Sequence, residues 1–252
     1  MVKTILPPLM ASFLCLAASV LADENCEQES RIGAGGGLSL GVLRLDTSPL
    51  EELAERDSRL ERKTFDFDDK SAVQLGVMGY GGPRETARIG MGAWVAYKEF
   101  RSKPFNFSPD NDSISDSVST LHVILPYAGF LAEKSFEIGD LNVHAGGLVG
   151  GGIYVVINDT YATEGNSAFR SYECDSSSCD DDDDDEMPVA YAPGWTFDLH
   201  AGVTYSILPW MHVGADASLV WMYSSTGFVH GYGSFWANNS ALRIRMIFGN
   251  AG

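Results

Sequence analysis

The sequence predicts an all-β fold, an eight-stranded antiparallel transmembrane β-barrel with a short helix inserted between strands 1 and 2. Apolar and polar residues alternate for longer than in soluble sheets, whose strands run about five or six residues. Short and long connections also alternate along the chain, which begins with a secretory leader. Because a tilted strand needs about 9–11 residues to cross a membrane, we expect these strands to be membrane strands.

The leader takes up residues 1–22. Lys3 supplies a positive start, an apolar stretch follows over 5–21, and Ala22 ends a small-residue cleavage site. A membrane anchor is the alternative, but an anchor needs about 20 apolar residues, and two prolines shorten this stretch. We therefore expect cleavage after Ala22, which leaves residues 23–252 as one all-β domain.

The alternation is clearest near the C-terminus. Over Trp195–Ile207 the odd positions are apolar and the even positions are small or polar, and the pattern repeats after Leu208–Pro209. The closing segment alternates apolar residues with Arg243 and Arg245. A lipid-facing arginine near the membrane midplane would cost about 2–4 kcal/mol, so both arginines are predicted to point into the lumen.

The same pattern gives eight strands, at about 31–46, 71–82, 86–100, 118–136, 140–158, 190–207, 210–224 and 239–249. The connections are short at 82–85, 137–140 and 208–209 and long at 47–70, 101–117, 159–189 and 225–238. Outer-membrane barrels have short periplasmic turns and longer outer loops, so both chain ends are expected on the periplasmic side. The alternative, a soluble β-sandwich or calyx, would need shorter strands and more evenly sized loops.

Aromatic residues gather at the strand ends, where barrels place girdles at the two membrane interfaces. Trp195 and Trp221 are equally far from the turn between their strands and are predicted to share one height near the outer interface. Trp210 and Phe248 are predicted to mark the periplasmic interface. A soluble core would not explain this placement.

At this point the chain resembles the small outer-membrane barrels of the OmpW and OmpX kind. The segment Ser240–Phe248 looks like their assembly signal, although Gly249–Gly252 follows the aromatic residue that normally ends it. The glycine-rich stretches 33–37, 76–82 and 146–152 resemble barrels with a helical insert after strand 1. The resemblance implies a Gram-negative outer membrane, contact with its lipids and insertion by the barrel-assembly machinery.

The insert is predicted to be helical over about 49–62. Ser48 is the expected N-cap with Glu51 three residues on, and Pro49 suits the first helical position. Leu50, Leu53 and Leu60 form a thin apolar stripe. Two placements stay open: the helix lies over the outer mouth, or it dips into the lumen against a wall of glycines on strands 1 and 3.

Polar residues on the inward faces of the last three strands form a predicted lumen network: Asp198, His200, His212, Asp216, Arg243 and Arg245. The hairpin register puts His200 opposite Asp216 or one pair away. Together with His122 and His144, the two network histidines are predicted to face the lumen at different heights, so no metal ion is expected between them. The network should constrict the periplasmic half, while the outer half stays open or receives the helix.

The formal net charge is −17, and loss of Lys3 with the leader makes it −18. Such a balance disfavours nucleic acid as a partner. The run Asp180–Asp185 with Glu186 falls in the third outer loop, 159–189, and is predicted to be a solvated loop. Weak binding of divalent cations there is the alternative, because carboxylates are natural calcium ligands. No cofactor is expected.

Three cysteines remain after the leader. Cys174 and Cys179 are close enough in sequence to close a small disulfide loop in an oxidising periplasm, which leaves Cys26 unpaired. Thiol labelling of the untreated protein should therefore detect one free cysteine. Detection of three would contradict the disulfide. Its removal should not prevent folding, because the link constrains few residues of the unfolded chain.

Three functions stay open. The leading hypothesis is a narrow channel or conduit with a mostly filled lumen, because eight strands leave an interior just wide enough for side chains. The second is a surface-interaction or adhesion protein that acts through its acidic outer loops. The third, a lipid-modifying enzyme, has only His230 and Ser234 as candidate residues, and we expect no catalysis.

Overall fold

The computed structural model describes residues 32–57, 60, 63–83, 87–107, 115–139, 141–162, 189–228 and 233–249. The predicted leader, the three remaining cysteines, the acidic run and His230 lie outside the described residues. The predictions made for them therefore stay predictions.

Nine strands and one helix make up the described part of the chain. In chain order they are β1 Ile32–Arg44, α1 Ser48–Arg56, β2 Ser71–Pro83, β3 Ala87–Arg101, β4 Phe105–Phe107, β5 Ser115–Ile138, β6 Leu141–Ala162, β7 Val189–Leu208, β8 Met211–Ser224 and β9 Phe235–Gly249. The three-residue β4 pairs only with the start of β5. Eight strands therefore build the wall.

The wall is a closed antiparallel barrel. Each wall strand pairs with the next wall strand along the chain, so β3 pairs directly with β5, and β4 is not part of the wall. The pairing of β1 with β9, from Gly35 opposite Gly249 to Arg44 opposite Ser240, closes the sheet on itself. The predicted fold, with one helix between β1 and β2, is confirmed.

The two ends of the barrel differ. We call one end of the barrel the turn end. The strands joined by the three short connections, 84–86, 139–140 and 209–210, meet there, and so do the start of β1 and the end of β9. The helix and the strand ends that lead into the longer connections lie at the opposite end, which we call the loop end. In outer-membrane barrels the short turns face the periplasm and the long loops face outward.

The surface has the polarity of a membrane barrel. Leu40 and Ile244 point outward and are 55% and 63% exposed, whereas neighbouring Arg245 points inward and is 2% exposed. The same alternation runs around the wall, so apolar side chains cover the outside and most polar ones are enclosed. A soluble fold would not expose such a continuous apolar belt. Among the described residues, no helix is long and apolar enough to cross a membrane.

Three strands are longer than the sequence predicted. β5, β6 and β7 have 24, 22 and 20 residues, against 13 to 15 for the other wall strands. β5 begins five residues before Thr120, which pairs with the last residue of β3, so at about 3.3 Å per residue the strand extends past β3 by roughly 17 Å. β7 likewise begins six residues before Trp195, its first residue paired with β8. We call residues 115–119, 158–162 and 189–193 the projecting sheet. The predicted strands covered part of it and left out 115–117, 159–162 and 189, because strands held by backbone pairing beyond the lipid need no alternation.

The helix also differs from its predicted bounds, 49–62. It covers Ser48–Arg56, and Thr47 is its N-cap instead of Ser48. The Thr47 hydroxyl donates to the Glu51 carboxylate at 2.6 Å, while Ser48 turns back to Asp46. The Asp57 amide donates to the Leu53 carbonyl and so closes the last turn of the helix. The capping residue was therefore misplaced by one position.

The aromatic residues line the two ends of the apolar belt. Trp210 and Phe248 stack at the turn end with ring centroids 6.4 Å apart. Trp195 pairs with Tyr223, whereas Trp221 pairs with Phe197, so the two tryptophans are offset by two residues and not opposite each other. The offset arises because the turn lies at 209–210, with Leu208 paired to Met211, and not at the predicted 208–209. Spacing from the predicted turn could not show this displacement.

Candidate functional site

The loop-end half of the lumen is closed by apolar side chains, which we call the apolar plug. Its largest members are all buried: Leu43, Leu50, Leu53, Leu60, Phe65, Phe100, Leu121, Tyr154 and Phe228. Three of the leucines come from α1 and the turn after it, so the insert contributes its apolar stripe to the core of the barrel. This half is therefore filled and does not stay open.

Polar contacts hold the insert in place. Asp46 accepts the Asn238 amide, and its own amide donates to the Asn239 side chain, both at 2.9 Å. At the other end of the insert, Lys98 donates to Asp69 at 2.5 Å. This hydrogen bond is the main reason that the pKa of the Asp69 carboxyl is lowered. Burial lowers the pKa of the Lys63 ammonium, against the opposing effect of Asp57. The insert is thus tied to β3 and β9.

Two stacked rings lie where the plug meets the polar part of the lumen. Trp94 and Tyr127 have centroids 5.6 Å apart with an interplanar angle of 18°. The Tyr127 hydroxyl accepts from Gln74 at 2.9 Å, and the Arg243 guanidinium lies 5.0 Å from the Trp94 centroid. We call Trp94 and Tyr127 the aromatic floor.

The inward glycines beside the aromatic floor leave space for its rings and not for the helix α1. A Cβ on Gly76 would lie 2.1 Å from the Trp94 ring, and one on Gly92 would lie 2.3 Å from it. On β1, a Cβ on Gly35 would lie 3.4 Å from the Tyr80 ring. Gly35, Gly76 and Gly92 therefore receive aromatic rings from neighbouring positions, so at Gly35 and Gly92 the space expected for α1 is occupied by a ring.

Gly76→Ala should displace the Trp94 indole, because the added methyl would overlap the ring. We expect a loss of about 1–3 kcal/mol, typical of overpacking, and a weaker near-ultraviolet circular dichroism signal. Gly79→Ala is the matched control on the same strand, since its Cβ would meet only the Gly35 carbonyl, at 3.9 Å. Equal stability of the two variants would contradict the packing described for Trp94.

Below the floor, three arginines and three carboxylates form the charged layer: Arg88, Arg243, Arg245, Glu133, Asp198 and Asp216. Arg243 donates to Asp198 at 2.6 Å. Arg245 donates to Asp216 at 2.6 Å and to Glu133 at 2.9 Å. All six residues are 5% exposed or less. With neutral histidines the layer carries no net charge, as buried ion pairs require.

The predicted lumen residues all point inward. Asp216 lies one inward pair from His200, opposite Gly202, which is one of the two positions that the sequence allowed. His200 also contacts Glu133 at 3.2 Å, a partner that the sequence did not indicate. The His212 ring is 2.8 Å from the Ser206 hydroxyl. His144 lies beside His200, with ring centroids 6.5 Å apart. The described histidines and acidic residues form no cluster suited to a metal ion.

His122 was assigned to the wrong face. It points outward at the loop end, where its ring stacks on Tyr97 and lies 3.1 Å from Asp159 and 3.6 Å from Glu99. The continuous pairing of β5 places odd-numbered residues inside and even-numbered ones outside. Ile124, outward beside inward Val123 and Leu125, makes both faces apolar here, so the sequence showed no clear alternation.

Sequence reasoning missed two of the six residues of the charged layer and three of their neighbours: Arg88, Glu133, Gln74, Trp94 and Tyr127. The sequence did indicate the inward direction of two of these side chains. Arg88 and Glu133 are charged residues within alternating strands, so the argument that placed Arg243 inside applies to them as well. Ser234 is exposed at the loop end and His230 lies outside the described residues, so the described part of the chain gives the enzyme hypothesis no support.

A closed antiparallel barrel with an apolar belt and a charged lumen satisfies every requirement of a bilayer, because closure leaves no unpaired backbone edge in lipid. The protein is therefore an eight-stranded β-barrel of the outer-membrane class, as the sequence predicted. No protein-family model and no curated protein matches the chain.

Several solved outer-membrane proteins are similar to this chain. Ail, the attachment invasion locus protein of Yersinia pestis, in complex with the heparin analogue sucrose octasulfate, is 13% identical, with 85% of this chain and 99% of that chain covered and a TM-score of 0.35. Neisserial surface protein A is 10% identical over 86% of this chain and 96% of that chain, with a TM-score of 0.33. OprG from Pseudomonas aeruginosa is 10% identical over 86% and 94%, also with a TM-score of 0.33.

Proposed function

We propose that this protein is a closed outer-membrane barrel that acts through its extracellular end as a surface-interaction protein. The observation that carries the proposal is the filled lumen. The apolar plug occupies the loop-end half, and the charged layer occupies the turn-end half with residues 5% exposed or less. A solute would have to displace both, so the leading conduit hypothesis loses its support in favour of the second.

The projecting sheet supplies the surface. It extends three neighbouring strands past the rest of the wall, which anchors a long connection, 163–188, between β6 and β7. That connection contains Asp180–Asp185 and Glu186. Seven carboxylates in one stretch favour a cationic partner, either a positively charged surface or divalent cations that bridge to another anionic surface.

The test compares whole cells that display the wild-type barrel or a variant with Asp180–Asp185 all replaced by asparagine, which keeps loop length. Amine-coated beads serve as the cationic probe, with and without added calcium. We expect the wild type to retain several-fold more beads than cells without the protein, and the variant to lose that gain. Equal retention by the two forms would refute the acidic loop as the contact site. Porin-like conductance of the purified wild type would refute the closed barrel.

A further inference from the structure

Each carboxylate of the charged layer has one hydrogen-bonded oxygen and one without a partner. Glu133 Oε2, Asp198 Oδ2 and Asp216 Oδ2 accept from arginines at 2.6–2.9 Å. The second oxygens, Glu133 Oε1, Asp198 Oδ1 and Asp216 Oδ1, are fully buried and have no hydrogen-bond partner among the described residues. In each of the three carboxylates, one oxygen is hydrogen-bonded and the other still needs a donor.

The nearest nitrogen atoms of arginine and histidine lie too far from these oxygens to donate a hydrogen bond directly. Glu133 Oε1 is 3.7 Å from Arg88, Asp198 Oδ1 is 3.7 Å from His200, and Asp216 Oδ1 is 3.8 Å from Arg243. Each separation exceeds the range of a hydrogen bond between nitrogen and oxygen. Each of these oxygens can therefore still accept a hydrogen bond from a water molecule.

Further buried polar atoms around the layer lack partners in the same way. They include Ser218 Oγ, Thr196 Oγ1, His144 Nε2 and His212 Nε2. Buried polar groups in folded proteins are nearly always hydrogen-bonded to protein or to ordered water. Several such atoms in one layer offer a water molecule the two to four polar partners that it needs.

The layer is enclosed at both ends. The apolar plug and the aromatic floor lie above it, and Tyr80 and Ile247 pack together toward the turn end, at 6% and 1% exposure. Water held between these apolar boundaries has no continuous route across the barrel.

We propose that the charged layer is a hydrated chamber, in which enclosed water molecules bind Glu133, Asp198 and Asp216 and bridge them to Arg88, His200 and Arg243. Water is thus a structural ligand of this lumen. The waters complete the hydrogen bonds of the carboxylates and do not form a pore, so the chamber is compatible with a barrel that conducts no ions.

Magnetic relaxation dispersion of water nuclei on the refolded wild-type barrel tests the proposal, because it counts waters held for longer than molecular tumbling. We expect a long-lived population in the wild type that falls in Ser218→Val, which removes an unpartnered inward hydroxyl and fills its space. Ser240→Val is the matched control, because Ser240 lies on the outward face of β9 beside the same rows. It should keep the wild-type signal.

Absence of long-lived water in the wild type would overturn the chamber, as would equal signals from the two valine variants. Each variant is first checked for the gel shift on heating that marks a folded barrel. If Ser218→Val does not fold, a high-resolution crystal structure of the wild type decides. Water density beside the three oxygens supports the chamber, and direct hydrogen bonds to protein donors refute it.

Discussion

Replacing Arg245 by alanine is expected to destabilise the folded barrel by about 3–5 kcal/mol, because removal of one partner leaves buried charges uncompensated. Arg245 is 2% exposed and joins Asp216 to Glu133. Without it, the two carboxylates lose the cation between them and face each other in a region of low dielectric. Urea unfolding of the refolded protein in lipid vesicles, followed by tryptophan fluorescence, measures the loss.

Two variants control for other causes. Lys134→Ala removes a cation from the exposed face of the same barrel and should change stability by less than about 1 kcal/mol. Arg245→Ala combined with Asp216→Ala restores the balance of charge and should recover part of the loss. If Arg245→Ala is no less stable than Lys134→Ala, the charged layer does not have the energetic role described.

Ion conductance is expected only when both barriers in the lumen are removed. Deletion of residues 47–70 takes away α1 and the leucines that it adds to the plug. Alanine at Arg243, Arg245, Asp198 and Asp216 thins the charged layer but leaves the Arg88–Glu133 pair, so the remaining charges balance. Each change alone leaves one layer intact. We therefore expect planar-bilayer current near the baseline for either change and a clear increase for both together.

The wild type and Lys134→Ala serve as closed references in the same bilayers. A current already present after thinning of the charged layer alone would mean that the plug does not seal the loop end. A combined variant that folds, shifts on heating and still passes no ions would mean that other side chains fill the lumen.

The architecture could be predicted because lipid and lumen impose opposite demands on successive residues. Over Trp195–Ile207 that demand yields strict alternation, and it also sets the inward direction of Arg243 and Arg245. Connection lengths then gave the strand order and the two ends. Each of these inferences needs only local sequence and the thickness of a membrane.

The partners within the lumen required more than alternation. Glu133 lies 112 residues from Arg245 in the chain, so their contact depends on the shear of the whole barrel. The shift between Ser206 and Leu208 changes the register by an amount that no turn residue reveals. The first residues of β5, 115–117, and the last of β6, 159–162, were missed because backbone pairing, not hydrophobicity, holds strands beyond the bilayer.

The origin of the charged layer has a consequence for biogenesis. Its carboxylates come from β5, β7 and β8, whereas two of its three arginines arrive together on β9, the last strand to be synthesised. An assembly intermediate that lacks β9 has those carboxylates without their counterions. The carboxylates must therefore stay exposed to water. Pairing of β9 with β1 closes the wall and delivers the counterions in one event. Closure is thereby made cooperative, because a partly inserted sheet gains little until its final strand is in place.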